Sequence, residues 1–149
     1  MQVLCIEDID GDASETTRIV QQVKPRARVK RASNLADAVA HARKSKIPFD
    51  LVLIDQKLNG AVGTELVAPL RNCESTADCP VVLLTANCSD TVRSLALAND
   101  VSALVHKPLD PKRLDEIINE GRVFWELQDL PRDLGEYRQA LAALAALSA

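Results

Sequence analysis

Aromatic residues are scarce in this chain, 3% of its 149 positions, so its core must be built from Val, Leu, Ile and Ala. No apolar run approaches the roughly 20 residues that cross a bilayer. The N-terminal MQVLCIEDID has no basic segment ahead of its apolar residues and turns acidic at once, so no signal peptide is expected. With neither feature, a cytoplasmic protein without membrane attachment is the expectation. A net charge of −3 and a pI near 5.4 give no general attraction to nucleic acid or anionic lipid. The four cysteines contain no CxxC pair and no zinc-ligand spacing, so reduced thiols are expected.

What the chain does have is alternation. Apolar runs suited to strands cover 2–7, 27–32, 50–55, 80–86 and 102–107, with helical periodicity between and after them at 13–24, 34–45, 62–72, 89–99 and 111–121. Asn34 and Asp110 are placed to open helices, the second with Pro111 as first helical residue. Pro69 should kink the third helix or move its boundary. Five such units predict an α/β fold, a doubly wound five-stranded parallel sheet. In the second strand Arg28 and Lys30 flank Val29, continuing the alternation of Lys24 and Arg26 with Ala27, and a charged face of this kind protects a sheet edge. That places the second strand outermost and predicts the flavodoxin-like order 2-1-3-4-5.

In such a sheet ligands bind beyond the carboxyl ends of the strands, where the strand order reverses, here between the first and third strands. The first ends in Glu7-Asp8 and the third, LVLID, ends in Asp55. Like charges about 5 Å apart repel by roughly 3 kcal/mol per pair at an effective dielectric near 20, so this grouping is not there for stability. Carboxylates of this kind suit a hard divalent cation, Mg²⁺ above all. The fourth strand ends in Thr85, a hydroxyl donor, and the fifth in Lys107, a compact cation suited to a phosphate oxygen.

With EDID after the first strand, LVLIDQKLNGAVG around Asp55, VVLLTA ending at Thr85-Ala86, and HKP at Lys107-Pro108, residues 1–121 resemble a bacterial response-regulator receiver domain of the chemotaxis-regulator type. The resemblance implies a phosphoacceptor signalling module rather than an enzyme. Phosphoryl would pass from a phosphohistidine of a sensor histidine kinase, or from a phosphotransfer protein, to Asp55. Asp8, Asp55 and the backbone carbonyl of Lys57 would ligate Mg²⁺ or Mn²⁺, with Glu7 acting through metal-bound water. Lys107 and Thr85 would meet phosphoryl oxygens, the Lys107–Pro108 bond would be cis, and phosphorylation would switch protein contacts.

This sequence departs from the family pattern in places. Glu7 replaces the commoner Asp. Asn59 stands where proline is usual, which should loosen the loop. Lys57 and Asn87 occupy positions that tune phosphoryl lifetime, and the Lys57 ammonium is expected to reach toward the phosphate or Glu7. Leu104 replaces the aromatic switch residue, so the switch would be transmitted differently or more weakly. His41 and His106 are expected to be structural or solvated.

Residues 122–149 are expected to form a helical extension broken at Pro131, with Leu127, Leu130, Leu134, Tyr137, Leu141 and Leu144 in an a/d-like stripe. That stripe would form a homodimer or dock a partner helix, with folding back on its own domain as the alternative. The chain then reads as a stand-alone receiver, or as one cut from an output domain. Three alternatives remain: a Mg²⁺-dependent aspartate-nucleophile hydrolase or phosphatase, for which Lys57 occupies the place of the usual second acid; a flavodoxin-like cofactor binder, whose phosphate EDIDGD would repel; and a degenerate receiver acting by binding alone.

Overall fold

Alternating runs of apolar residues bury both faces of one parallel sheet. The computed structural model describes residues 1–120, so the expectations for 122–149 lie outside the described residues. In chain order the elements are β1 (Gln2–Ile6), α1 (Asp10–Val23), β2 (Arg28–Ala32), α2 (Leu35–Lys44), β3 (Leu51–Asp55), the short β4 (Lys57–Leu58) and β5 (Ala61–Val62), then α3 (Val67–Arg71), β6 (Val81–Thr85), α4 (Asp90–Ala98), β7 (Ala103–His106) and α5 (Pro111–Glu120). The main sheet runs β2-β1-β3-β6-β7, all parallel, which is the order expected with β2 on one edge. Arg28 and Lys30 are exposed on that edge.

Side chains alternate across the sheet, so each strand feeds two cores. Leu4, Ile6, Val52, Ile54, Leu83 and Leu104 pack under α2, α3 and α4. Val3, Leu51, Leu53, Val82 and Val105 pack under α1 and α5, against Ile19, Val20, Leu114 and Ile117. The two helix starts read from sequence are present. Asn34 caps α2 by accepting the Asp37 N–H at 2.9 Å, and Asp110 accepts the Lys112 N–H at 3.1 Å, just before Pro111. None of the four cysteines is in a disulfide, and burial pushes the Cys5 thiol up to about 12 and that of Cys79 to about 11.

The segment expected as a helix over 62–72 is different. A hairpin of β4 and β5 comes first, then a 3-10 turn at Gly63–Leu66, and the α-helix is confined to Val67–Arg71. The boundary moved to where Pro69 costs nothing: it lies in the first turn, whose N–H groups have no partners inside the helix. Gly63 is fixed by space. A Cβ there would stand 2.4 Å from the Asp55 carbonyl oxygen and 2.9 Å from the Ile54 side chain. Its N–H donates to the Gln56 carbonyl at 2.8 Å, and the Gln56 side chain accepts the Thr64 N–H at 3.0 Å, so the chain turns back tightly behind Asp55.

Candidate functional site

β1 and β3 are neighbours in register, with Ile6 opposite Ile54, so the residues that follow, Glu7 and Asp55, emerge side by side above the sheet. Both are almost wholly buried, at 3% and 4% exposure. Lys107 closes the cluster from beyond β7. Its Nζ lies 2.6 Å from Asp55 Oδ2, 3.4 Å from Glu7 Oε2 and 3.5 Å from Asp12 Oδ2. The Lys107–Pro108 peptide is cis. Asp55 Oδ1 accepts the Lys57 N–H at 2.9 Å.

Two more interactions hold the acidic loop after β1. Glu7 Oε1 accepts the Ile9 N–H at 3.1 Å, and Arg31 reaches across from β2, its Nε donating to the Glu7 carbonyl oxygen at 3.0 Å while its other arm pairs with Asp10. Asp8 is half-buried. Its Oδ2 accepts the Asn59 N–H at 2.7 Å, and its Oδ1 is buried with no hydrogen-bond partner.

Crowding sets the charge states. Burial, followed by the hydrogen bond shared with Asp55, pushes the Glu7 carboxyl up to about 8. Burial works in the same direction on Asp55, but hydrogen bonds from Glu7, Lys107 and the Lys57 N–H outweigh it and hold Asp55 below the usual carboxylate range. Burial opposes the charge on Lys107 as well, and the Asp55 hydrogen bond together with the surrounding acids overcomes it, leaving the ammonium above its ordinary value. The crowding thus favours a proton on Glu7 rather than on Asp55, with Lys107 charged.

A dependence on pH follows. Folded Glu7 keeps its proton up to about 8, whereas the unfolded carboxyl loses it near 4.5, so folding takes up a proton between those values. The metal-free domain is expected to lose stability as pH rises through that window, by on the order of 1 kcal/mol per pH unit. Asp55 adds no slope there, being ionised in both states above its ordinary 3.8. Glu7→Gln stays neutral and should flatten the slope. Thermal unfolding in EDTA, from about pH 5 to 8, checks this, and parallel slopes for parent and variant would refute it.

Of the remaining residues singled out in the sequence, Thr85 is buried at the end of β6. Its hydroxyl is engaged with Asn87, donating to that residue's carbonyl at 2.9 Å and accepting its N–H at 3.0 Å. Leu104 is buried in the core beneath α4. Lys57 is exposed on the hairpin and, among the described residues, makes no ion pair with Glu7; its backbone N–H, not its ammonium, is what reaches Asp55. The side chain of His106 is exposed.

Sequence reasoning missed Asp12. Carboxylate oxygens of Glu7, Asp12 and Asp55 lie within 4.8 Å of one another. Its signal was available in EDIDGD: once α1 begins at Asp10, three residues earlier than expected, Asp12 falls in the first helical turn above the sheet. Arg31 was missed too, since the charges on β2 read only as edge protection.

The family model for the response regulator receiver domain matches residues 3–119, and the chain belongs to that family. It is 24% identical over 114 residues to the cyclic di-GMP phosphodiesterase response regulator RpfG of Xanthomonas campestris pv. campestris, a match that covers 76% of this chain and 30% of RpfG. It is 35% identical over 65 residues to the phosphate regulon transcriptional regulatory protein PhoB of Escherichia coli, covering 44% of this chain and 28% of PhoB. The matches thus span about 30% of the length of these curated relatives. Among solved structures, the receiver domain of the Pseudomonas aeruginosa sensor histidine kinase PA1611, determined with a magnesium ion in its active-site cleft, superposes with a TM-score of 0.68 at 22% identity, over 80% of this chain and 94% of that one.

The protein is accordingly a phosphoacceptor signalling domain of two-component type. Receiver domains bind Mg²⁺ at an acidic pocket and interact with histidine kinases or phosphotransfer partners. No helix among the described residues is long and apolar enough to cross a membrane.

Proposed function

We propose that Asp55 is the phosphoacceptor and that residues 1–121 promote their own phosphorylation and dephosphorylation. The observation that carries this is Asp55 itself: a buried carboxylate held below the usual carboxylate range, with Lys107 Nζ at 2.6 Å and carboxylate oxygens of Glu7 and Asp12 within 4.8 Å. Asp8, Asp55 and the Lys57 carbonyl would hold a divalent cation directly and Glu7 through water. The carboxylates of Glu7, Asp12 and Asp55, with oxygens within 4.8 Å of one another, are hard donors that fit such an ion, and the buried Asp8 Oδ1 has no hydrogen-bond partner that a cation would have to displace. When bound, the cation supplies charge stabilisation for the transferring phosphoryl group.

The chain's own groups do the rest. An Asp55 carboxylate oxygen attacks phosphorus, the phosphorus–nitrogen bond of the donor phosphohistidine breaks, and an aspartyl phosphate forms as the imidazole leaves. Lys107, freed from Asp55 Oδ2, pairs with a phosphoryl oxygen. Thr85 exchanges its bond to the Asn87 carbonyl for another. Leu104 packs beneath this movement, while Lys57 and Asn87 border the phosphoryl group and set its lifetime. The donor would be a sensor histidine kinase or a phosphotransfer protein, with residues 122–149 as a dimer or partner-docking segment.

Intact mass after incubation with acetyl phosphate tests the reading. One phosphate adduct is expected with Mg²⁺ and none in EDTA. An adduct of equal yield in EDTA would overturn the metal-assisted mechanism.

A further inference from the structure

The Asp8 carboxylate is held from a distance of 51 residues in sequence. Its Oδ2 accepts the backbone N–H of Asn59 at 2.7 Å, while its Oδ1 is buried without a partner. Asn59 and Gly60 form the two-residue turn between β4 and β5, with Leu58 opposite Ala61. Gly60 has φ +77°, and Asn59 is not among the residues of positive φ. That combination belongs to a type II turn, whose first central position suits φ near −60°.

We propose that the Asn59 N–H is a positioning group for the divalent cation: by fixing one oxygen of Asp8, it holds the other ready for the metal. This rests on the reading of Asp8 as a metal ligand. An N–H bonded to a carboxylate is among the stronger hydrogen bonds. A buried carboxylate oxygen with no partner is costly, and an untethered Asp8, being only half-buried, could turn that oxygen to water. Mg²⁺ demands near-ideal octahedral placement of its ligands, so a ligand free to turn away binds it less well. Hydrogen bonds of this kind to metal-ligating groups typically govern about 10- to 100-fold in affinity. The bond also joins the acidic loop after β1 to the hairpin after β3, the two segments that flank Asp55.

The position allows a clean test. Proline removes the N–H and nothing else the turn needs, since its fixed φ suits the first central residue of a type II turn. Alanine keeps the N–H and removes the side chain. Mg²⁺ binding to the full chain, measured by titration calorimetry, is expected to weaken about tenfold in Asn59→Pro and to stay within about twofold of the parent in Asn59→Ala. Thermal unfolding in EDTA is expected to fall by no more than a few degrees in the proline variant, since the lost N–H bond outweighs the chain entropy that proline removes, and the variant stays folded at the titration temperature, which separates lost positioning from lost folding. Equal Mg²⁺ affinity in Asn59→Pro and parent would overturn the proposal, as would an equal loss in both variants. A parent that binds no Mg²⁺ would overturn the metal reading as well. An affinity change confined to Asn59→Pro, with Mg²⁺-dependent phosphorylation absent even in the parent, would sustain the positioning role while removing the phosphoacceptor reading.

Discussion

Asp55→Asn is expected to abolish the Mg²⁺-dependent phosphate adduct, a loss of at least about a hundredfold, because an amide cannot serve as the attacking oxygen nucleophile. The fold should survive. The amide oxygen of the variant could still accept the Lys57 N–H that Asp55 accepts at 2.9 Å, and Lys107 keeps Glu7 at 3.4 Å and Asp12 at 3.5 Å. Loss of the 2.6 Å Lys107 contact is offset by relief of the crowding that pushes Glu7 up to about 8. The melting temperature should therefore move by no more than a few degrees. Intact mass and thermal unfolding on the same sample separate the two effects. An adduct of undiminished yield in the variant would place the phosphoacceptor on another carboxylate.

Gly63→Ala is expected to do the opposite: destabilise the domain by about 3 kcal/mol, lowering the melting temperature by about 10 °C. The added Cβ would meet the Asp55 carbonyl oxygen at 2.4 Å and carbon at 3.0 Å, backbone atoms of a central strand that cannot swing aside as a flexible side chain would. Relief would require the turn to move away from β3. That would also stretch the Gly63 N–H bond to Gln56 and the Thr64 bond to the Gln56 side chain. The damage is expected to reach the site as well, since Asp55 is the last residue of that strand. Thermal or urea unfolding in EDTA measures the loss, and a change below about 1 kcal/mol would show that the turn has slack which this packing denies it.

The alternation of apolar runs with helical periodicity was enough to determine a doubly wound parallel sheet, because strands buried on both faces read as unbroken Val, Leu and Ile. The charged second strand was enough to place it on an edge, since Arg28 and Lys30 have nowhere to go in a sheet interior. Given that order, the meeting of Glu7 with Asp55 followed, because strand ends that neighbour in a parallel sheet bring their next residues together. Asp8 is not in the carboxylate group that gathers there, and Lys107 reaches it from β7, one strand beyond β6, by the length of its side chain.

Tertiary structure decided the rest. Whether residues 62–72 make one helix depended on the space behind Asp55, which only Gly63 fits and which draws the preceding residues into a hairpin. Asp12 joined the cluster because α1 begins earlier than periodicity indicated, and apolar spacing carries no information about an acidic first turn. Arg31 lies 24 residues from Glu7, and only strand pairing brings its guanidinium to the Glu7 carbonyl. The tether between Asn59 and Asp8 was invisible for a different reason. A backbone N–H is common to every residue but proline, so its use depends on where the chain passes, not on which side chain it bears.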